Sequence, residues 1–186
     1  MILGDFRENL SLNPEKMHIM EEKSLQLKFR FNGTGRSKLD SQRRLLMPKL
    51  WRDAMSEDRA YRFYLMPGTD NDIKIGDYDY YCEYSNYIES LDDSDVVTLQ
   101  AKTIFAMLTT PVDVDSQGRF ALTPELLQYA QLGKAGDTLV LAGASDFGRI
   151  MTEEAYSRLF ANSLTNISRL NQEVQKVKAM KNLEKK

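Results

Sequence analysis

The sequence of 186 residues contains a single cysteine, Cys82, and a single histidine, His18. One cysteine cannot close a disulfide within the chain, and neither residue has the partners that a cysteine- or histidine-based zinc site requires. The same shortage removes the Ser-His and Cys-His pairs of nucleophilic enzymes. We therefore expect no catalytic residues, no metal and no cofactor, and a protein that is not an enzyme.

Long apolar runs are also lacking. No stretch approaches the roughly 20 consecutive apolar residues that span a bilayer, and charge enters too early in Met1–Arg7 for a signal peptide. The remaining composition, 42% hydrophobic and 28% charged, is that of a soluble globular protein. We expect a cytoplasmic location and no membrane partner.

Charge of each sign is scarce where the other is abundant. Residues 28–62 carry ten cations and four anions, a net charge of +6, whereas residues 63–115 carry two cations and eleven anions, a net charge of −9. Such a separation indicates localised potential that the total of −2 conceals. One interpretation is complementarity between subunits. The other is a face that binds a polyanion on the basic segment.

A short motif occurs twice. Asp40-Ser41-Gln42-Arg43-Arg44 returns 75 residues later as Asp115-Ser116-Gln117-Gly118-Arg119. Further landmarks keep the same offset: Gly68 matches Gly143, Ile75 matches Ile150, and Tyr81 matches Tyr156. The sequence thus predicts two versions of one small unit, too few for a solenoid and enough for a pseudo-dimer within one chain.

Strand and helix signals follow each motif in the same order. Short apolar strands and a strand–turn–strand pair are predicted around each copy, with Asp77 and Thr123 as helix N-caps and Gly133 as a helix C-terminal glycine. The Asp92-Asp93-Asp95 cluster could bind a metal, but we interpret it as a helix N-terminus. The predicted organisation comprises an N-terminal extension (1–27), a first repeat (28–90), a connecting helix (91–110), a second repeat (111–156), and a C-terminal helix with a basic tail (157–186).

The last predicted helix carries apolar residues at alternating steps of three and four. They are Ile167, Leu170, Val174 and Val177, preceded by Tyr156 and Phe160. This heptad spacing predicts either helix–helix contact beyond its own repeat or packing on its own barrel.

The run Leu39–Pro48 and its second version Val114–Leu126 resemble the conserved units of MraZ proteins, which belong to the SpoVT-AbrB superfamily of bacterial transcription regulators. The resemblance covers roughly residues 29–170. It implies an α+β fold of two tandem SpoVT-AbrB-type units, swapped-hairpin and β-barrel-like, with flanking helices.

The resemblance also implies a function. The family forms ring-like homo-oligomers, binds repeated promoter-proximal sites on double-stranded DNA, and represses the division and cell-wall gene cluster. The family's DNA-binding arginine matches Arg44. A nucleoid-associated protein is therefore expected.

The residues themselves support a compatible site. Asp40 and Asp115 are expected to hold their turns by accepting hydrogen bonds from turn amides or by pairing with an arginine. One aspartate cannot satisfy both Arg43 and Arg44, so at least one guanidinium should face solvent near Arg36 and Lys38. Arginine binds phosphate and can hydrogen-bond guanine in the major groove. The predicted DNA-binding residues are Arg44, Arg43, Lys38, Arg36 and Arg119, although Arg119 could instead be structural.

A second hypothesis uses the same fold. Gln42 and Gln117 stand where the family has lysine, Arg43 stands where it has glycine, and the middle segment is strongly acidic. These departures favour an interaction, scaffold or antitoxin-like module that does not bind DNA.

Overall fold

The computed structural model describes residues 29–55, 62–164 and 166–183. The N-terminal extension lies outside these residues, as does most of the segment 25–31, whose alternation of apolar and polar residues predicts a strand. Within the described part of that strand, Phe31 forms an isolated antiparallel bridge with Ser145.

Eight strands lie in the described chain, and they belong to two sheets. They are β1 (Thr34–Lys38), β2 (Arg44–Leu46), β3 (Phe63–Pro67), β4 (Ile73–Asp77), β5 (Thr110–Val112), β6 (Arg119–Ala121), β7 (Thr138–Gly143) and β8 (Phe147–Thr152). Six form a sheet in the order β1-β7-β8-β4-β3-β5, and β2 pairs with β6 in a separate two-stranded ribbon. All the pairings are antiparallel.

Six helices accompany these strands. They are α1 (Lys49–Asp53), α2 (Tyr78–Glu89), α3 (Val96–Leu108), α4 (Pro124–Tyr129), α5 (Glu153–Leu164) and α6 (Ile167–Leu183). Together with the sheets they confirm the predicted α+β class. β2 and β6 begin 75 residues apart, and so do α2 and α5.

The pairings exchange strands between the two halves of the sequence. β1 pairs with β7, and β5 pairs with β3, so each half supplies an edge strand to the other. The centre of the sheet is β4 against β8, again one strand from each half. Neither half could therefore complete this sheet without the other.

The sheet has a layer on each face. The core proper lies on the face covered by the ribbon, α1 and α4, where Trp51, Phe31 and Phe120 are buried. On the other face, Val140 and Met151 pack under Ala155 and Leu159 of α5.

Helix starts follow the predicted capping chemistry. The Asp77 carboxylate accepts from the Tyr80 amide at 2.9 Å, and Thr123 accepts from Leu126, which confirms both N-caps. Asp95 caps α3 by accepting from the Thr98 amide at 2.9 Å.

Three expectations about the fold are wrong. The described strands do not close into a barrel, because β1 and β5 remain sheet edges. Where β1 approaches the ribbon, the bond is to a side chain: the Leu46 amide donates to Ser37 Oγ at 2.8 Å.

The residue with left-handed backbone after α4 is Gln131, at φ 50°, and not Gly133. The predicted long last helix is two helices, α5 and α6, separated near Asn166.

Candidate nucleic-acid interface

Asp40 and Asp115 build the same turn. The Asp40 carbonyl accepts from the Arg43 amide at 3.0 Å, and its Oδ1 accepts from the amides of Gln42 and Arg44, both at 2.8 Å. Its Oδ2 accepts from Arg44 Nε at 2.8 Å. Each carboxylate oxygen is thus used to hold the turn and to aim the arginine that follows it.

The second turn repeats this arrangement. Asp115 Oδ1 accepts from the amides of Gln117 and Arg119, both at 2.9 Å, and Oδ2 accepts from Arg119 Nε at 3.0 Å. The pKa of each aspartate is lowered, first by the backbone hydrogen bond from its arginine, Arg44 for Asp40 and Arg119 for Asp115. Both carboxylates therefore stay ionised beside their guanidiniums at neutral pH.

The fourth residue of each turn links the two copies. The Arg43 carbonyl accepts from the Leu122 amide, and the Gly118 carbonyl accepts from the Met47 amide, both at 2.8 Å. These bonds extend the β2–β6 ribbon at its two ends. The turns are therefore fixed to each other as well as internally.

The two arginines lie on one face of the ribbon. Arg44 is opposite Ala121, and Leu46 is opposite Arg119, so the arginines are diagonal neighbours on the antiparallel pair. The intervening Leu45 points into the core and is fully buried. Side chains alternate along a strand, so Arg44, Leu46, Arg119 and Ala121 share the outward face.

Each guanidinium keeps most of its hydrogen-bonding capacity. Within the described chain, the contacts of Arg44 and Arg119 use Nε alone. Because a guanidinium has five N–H donors, four remain on its two terminal nitrogens. The aspartates orient these groups without occupying them, which is the arrangement that bidentate recognition of phosphate or of a base edge requires.

Arg36 is differently placed. Its Nε and Nη2 donate to the two Glu153 carboxylate oxygens at 2.8 and 2.6 Å, and its guanidinium lies 5.6 Å from the Tyr156 ring centroid. This bidentate bond lowers the pKa of Glu153. Arg36 therefore uses its planar fork within the protein.

The pleat of β1 separates Arg36 from the ribbon. Ser37 faces the ribbon through its bond to Leu46, so its neighbours Arg36 and Lys38 lie on the opposite face of the sheet. Of the predicted DNA-binding residues, the structure thus brings together Arg43, Arg44 and Arg119. It does not bring Arg36 or Lys38 to them.

Arg43 adds an exposed cation at one end of the ribbon. The short apolar run Leu45-Leu46-Met47 predicts a buried strand, so the sequence does not indicate Leu46 as part of the candidate interface. Leu46 is instead 44% exposed between the two arginines. An exposed residue in a strand is normally recognised because polar residues alternate with apolar ones. All three residues of Leu45-Leu46-Met47 are apolar, so the sequence does not show which of them faces solvent.

The basic segment is less free than its net charge suggests. Arg30 pairs with Asp146, and Lys49 pairs with Asp53 at 2.7 Å, in addition to the Arg36–Glu153 pair. The acidic cluster is likewise occupied locally: Asp92 accepts from Ser94, and Asp93 pairs with Lys102. In the described ranges no group of three or more His, Cys, Asp or Glu is placed to hold a metal ion.

Among the residues that the structure describes, no helix combines the length and the apolar character needed to cross a bilayer.

Fold and site together define an α+β protein that presents a paired-arginine β-ribbon, a surface suited to an anionic partner. Three known proteins match most of the chain, and all three carry the name Transcriptional regulator MraZ. The protein of Desulforamulus reducens is 26% identical over 144 residues, which cover 77% of this chain and 96% of the relative. The protein of Mycoplasma mobile is 29% identical over 146 residues, covering 76% and 94%.

The third relative, from Thiobacillus denitrificans, is 25% identical over 135 residues, covering 73% of this chain and 89% of its own length. No protein-family model matches the chain. The three matches support membership of the MraZ family, which confirms the resemblance drawn from the repeated motif.

Proposed function

We propose that the protein is a DNA-binding transcriptional regulator whose β2–β6 ribbon contacts double-stranded DNA. The observation that carries the proposal is the pair Arg44 and Arg119, diagonal on one exposed ribbon face and each held by an aspartate through Nε alone. The relatives' name, Transcriptional regulator MraZ, supports the same conclusion.

The ribbon has the right shape for this role. The major groove is about 12 Å wide and admits a two-stranded β-ribbon. Arginine terminal nitrogens can then bind phosphates or the O6 and N7 atoms of guanine. We propose Arg44 and Arg119 as the central contacts and Arg43 as a contact to the DNA backbone at the ribbon end. Arg36 and Lys38, on the opposite face of the sheet, are not proposed as contacts of the same duplex.

The acidic side chains support one orientation on DNA. Asp79, Glu83 and Glu89 are exposed on α2, which packs on the sheet face opposite to the ribbon. A duplex at the ribbon avoids these carboxylates. Repulsion from them would disfavour docking the other way round.

An oligomer is the proposed working form. Helix α3 has no fully buried residue and exposes five large apolar side chains: Val96, Val97, Leu99, Ile104 and Met107. An exposed apolar patch of this kind marks an interaction surface. We propose that this patch joins copies of the chain into a ring like the one that the family resemblance implies. A ring would bind repeated promoter-proximal sites more tightly than one copy, because binding at one site raises the effective concentration of the other copies at the neighbouring sites.

Further parts of the proposal rest on the resemblance. They are two tandem SpoVT-AbrB-type repeats with the predicted limits, and repression of the division and cell-wall gene cluster. A cytoplasmic, nucleoid-associated location and the lack of enzymatic activity belong to the same proposal.

A second function is favoured by one observation. Arg36, Arg44, Arg119 and Arg30 all pair with carboxylates of the same chain, which reduces the positive potential available to DNA. A scaffold or antitoxin-like module that binds a protein partner would need no free cations.

DNA binding measured across a salt series separates the two functions. A regulator should bind duplex DNA from upstream of its own reading frame with an affinity that falls steeply as salt rises. A protein that fails to bind this DNA at low salt, yet retains a defined protein partner on an affinity column, would support the scaffold function instead.

A further inference from the structure

Helix α6 carries an apolar stripe that nothing in the described chain covers. Ile167, Leu170, Val174 and Val177 follow steps of three, four and three residues, which place them on one narrow face of a helix. Their exposed fractions lie between 42% and 57%. Packing on the protein's own sheet is correct for Tyr156 of α5, which lies against Val140 and Met151, but it is wrong for the α6 stripe. The stripe is left for another partner.

The residue types indicate which partner fits. With Ile167 and Val174 at the a positions of a heptad, Leu170 and Val177 fall at the d positions. The β-branched residues at a together with Leu170 at d favour two parallel strands, while Val177 departs from leucine at the second d position. The stripe therefore matches a second copy of itself.

The flanking charges support the same pairing. Glu173 falls at position g and Lys178 at position e. In a parallel pair a g residue faces the e residue five places later on the partner helix, so Glu173 meets Lys178 twice. An antiparallel pair would bring g against g and e against e, which opposes like charges. Glu173 now contacts Lys176 of its own helix at 2.8 Å, an exposed pair that can be exchanged at little cost.

We propose that α6 is a dimerisation helix that forms a short parallel two-stranded coiled coil with α6 of a second copy of this chain. The proposal goes beyond DNA recognition and holds whether or not the ribbon binds DNA. It also uses a surface different from the apolar patch on α3.

The length of α6 sets how strong this contact is. Its 17 residues span about 25 Å, or little more than two heptads, and helices this short are marginal in isolation. Pairing of α6 is therefore expected to depend on its attachment to the folded protein, where any other contact between copies raises the effective concentration.

Site-directed disulfide formation tests the pairing in the full-length chain. The only native cysteine is removed by Cys82→Ser, and Val174→Cys is introduced. The two Cα atoms of a disulfide-bonded pair are about 5.5–6 Å apart, and the a positions that face each other in a parallel coiled coil lie close enough to meet this distance. Val174→Cys and Ile167→Cys should both form covalent dimers under mild oxidation. Gln172→Cys, on the opposite face of the helix, is the matched control and should form about tenfold less dimer.

The same assay tests the parallel orientation and the charge pairing between Glu173 and Lys178. In an antiparallel pair Ile167 would lie near the far end of the partner helix, so failure of Ile167→Cys with success of Val174→Cys would overturn the parallel arrangement. Glu173→Lys and Lys178→Glu should each reduce the Val174→Cys dimer, and the double reversal should restore it. Equal cross-linking at Val174 and Gln172, in protein that keeps its helical circular dichroism, would overturn the proposal.

Discussion

Arg43 and Gly118 hold the same left-handed backbone position in the two turns, with φ angles of 60° and 77°. In each turn the amide of this residue donates a hydrogen bond to the carbonyl oxygen of the aspartate three residues earlier, and an arginine follows directly. Glycine adopts this conformation without steric cost, whereas arginine carries a strain of about 1–2 kcal/mol. The first turn therefore keeps the geometry of the second while adding an exposed cation at the end of the ribbon.

The two positions should respond differently to mutation. A Cβ atom at Gly118 would lie 2.2 Å from Arg52 Cδ, so the Arg52 side chain would have to move. We expect Gly118→Ala to lower the free energy of unfolding by about 1–3 kcal/mol. Arg43→Gly should change it by less than about 1 kcal/mol, because relief of strain and added chain entropy oppose each other. Urea unfolding measures both, and equal losses would contradict the proposed difference.

Acid should weaken the ribbon turns. The folded pKa values of Asp40 and Asp115 lie below the unfolded value of about 3.9. Their contribution to stability is therefore complete above that value and is lost as the pH falls through the lowered folded values. The double variant Asp40→Asn, Asp115→Asn should show a shallower loss of unfolding free energy below about pH 4. A slope identical to that of the parent protein would show that these carboxylates do not stabilise the fold.

Asp72 should matter more than its neighbour Asp70. Asp72 is 1% exposed and pairs with Arg149 Nε, whereas the side chain of Asp70 is 70% exposed and pairs with Arg149 Nη2 at 2.8 Å. Removing one partner of a buried ion pair costs about 3–5 kcal/mol. The same change at an exposed pair costs less than about 1 kcal/mol. Thermal unfolding of Asp72→Ala and Asp70→Ala tests the ranking, and a larger loss for Asp70→Ala would contradict it.

Local patterns predicted much of the fold. The offset of 75 residues identified β2 and β6 as equivalent strands of the two repeats, and the capping residues Asp77 and Thr123 located the starts of α2 and α4. The caps depend on residues within one turn of each other, and the repeat needs only a comparison of the sequence with itself. The pattern of each short segment therefore carried enough information.

Long-range relationships were not available from those patterns. Arg36 meets Glu153, which lies 117 residues away, and only the exchange of edge strands brings them together. The same exchange set the face on which Arg36 lies and separated it from Arg44. The apolar triplet Leu45-Leu46-Met47 predicts a buried Leu46 for a related reason, since nothing in it shows that its strand forms a ribbon outside the main sheet.

The central claim is that Arg44 and Arg119 contact DNA from the ribbon. Fluorescence anisotropy with labelled duplex from upstream of the reading frame, repeated over a salt series, tests it most directly. Arg44→Ala should weaken binding by at least about tenfold, and Arg119→Ala should do so as well, because each removes a guanidinium that a phosphate or guanine would use. Arg36→Ala, on the other face of the sheet, is the control and should change affinity by less than about twofold. Arg44→Ala and Arg119→Ala proteins that remain folded and bind the duplex as tightly as Arg36→Ala would contradict the account.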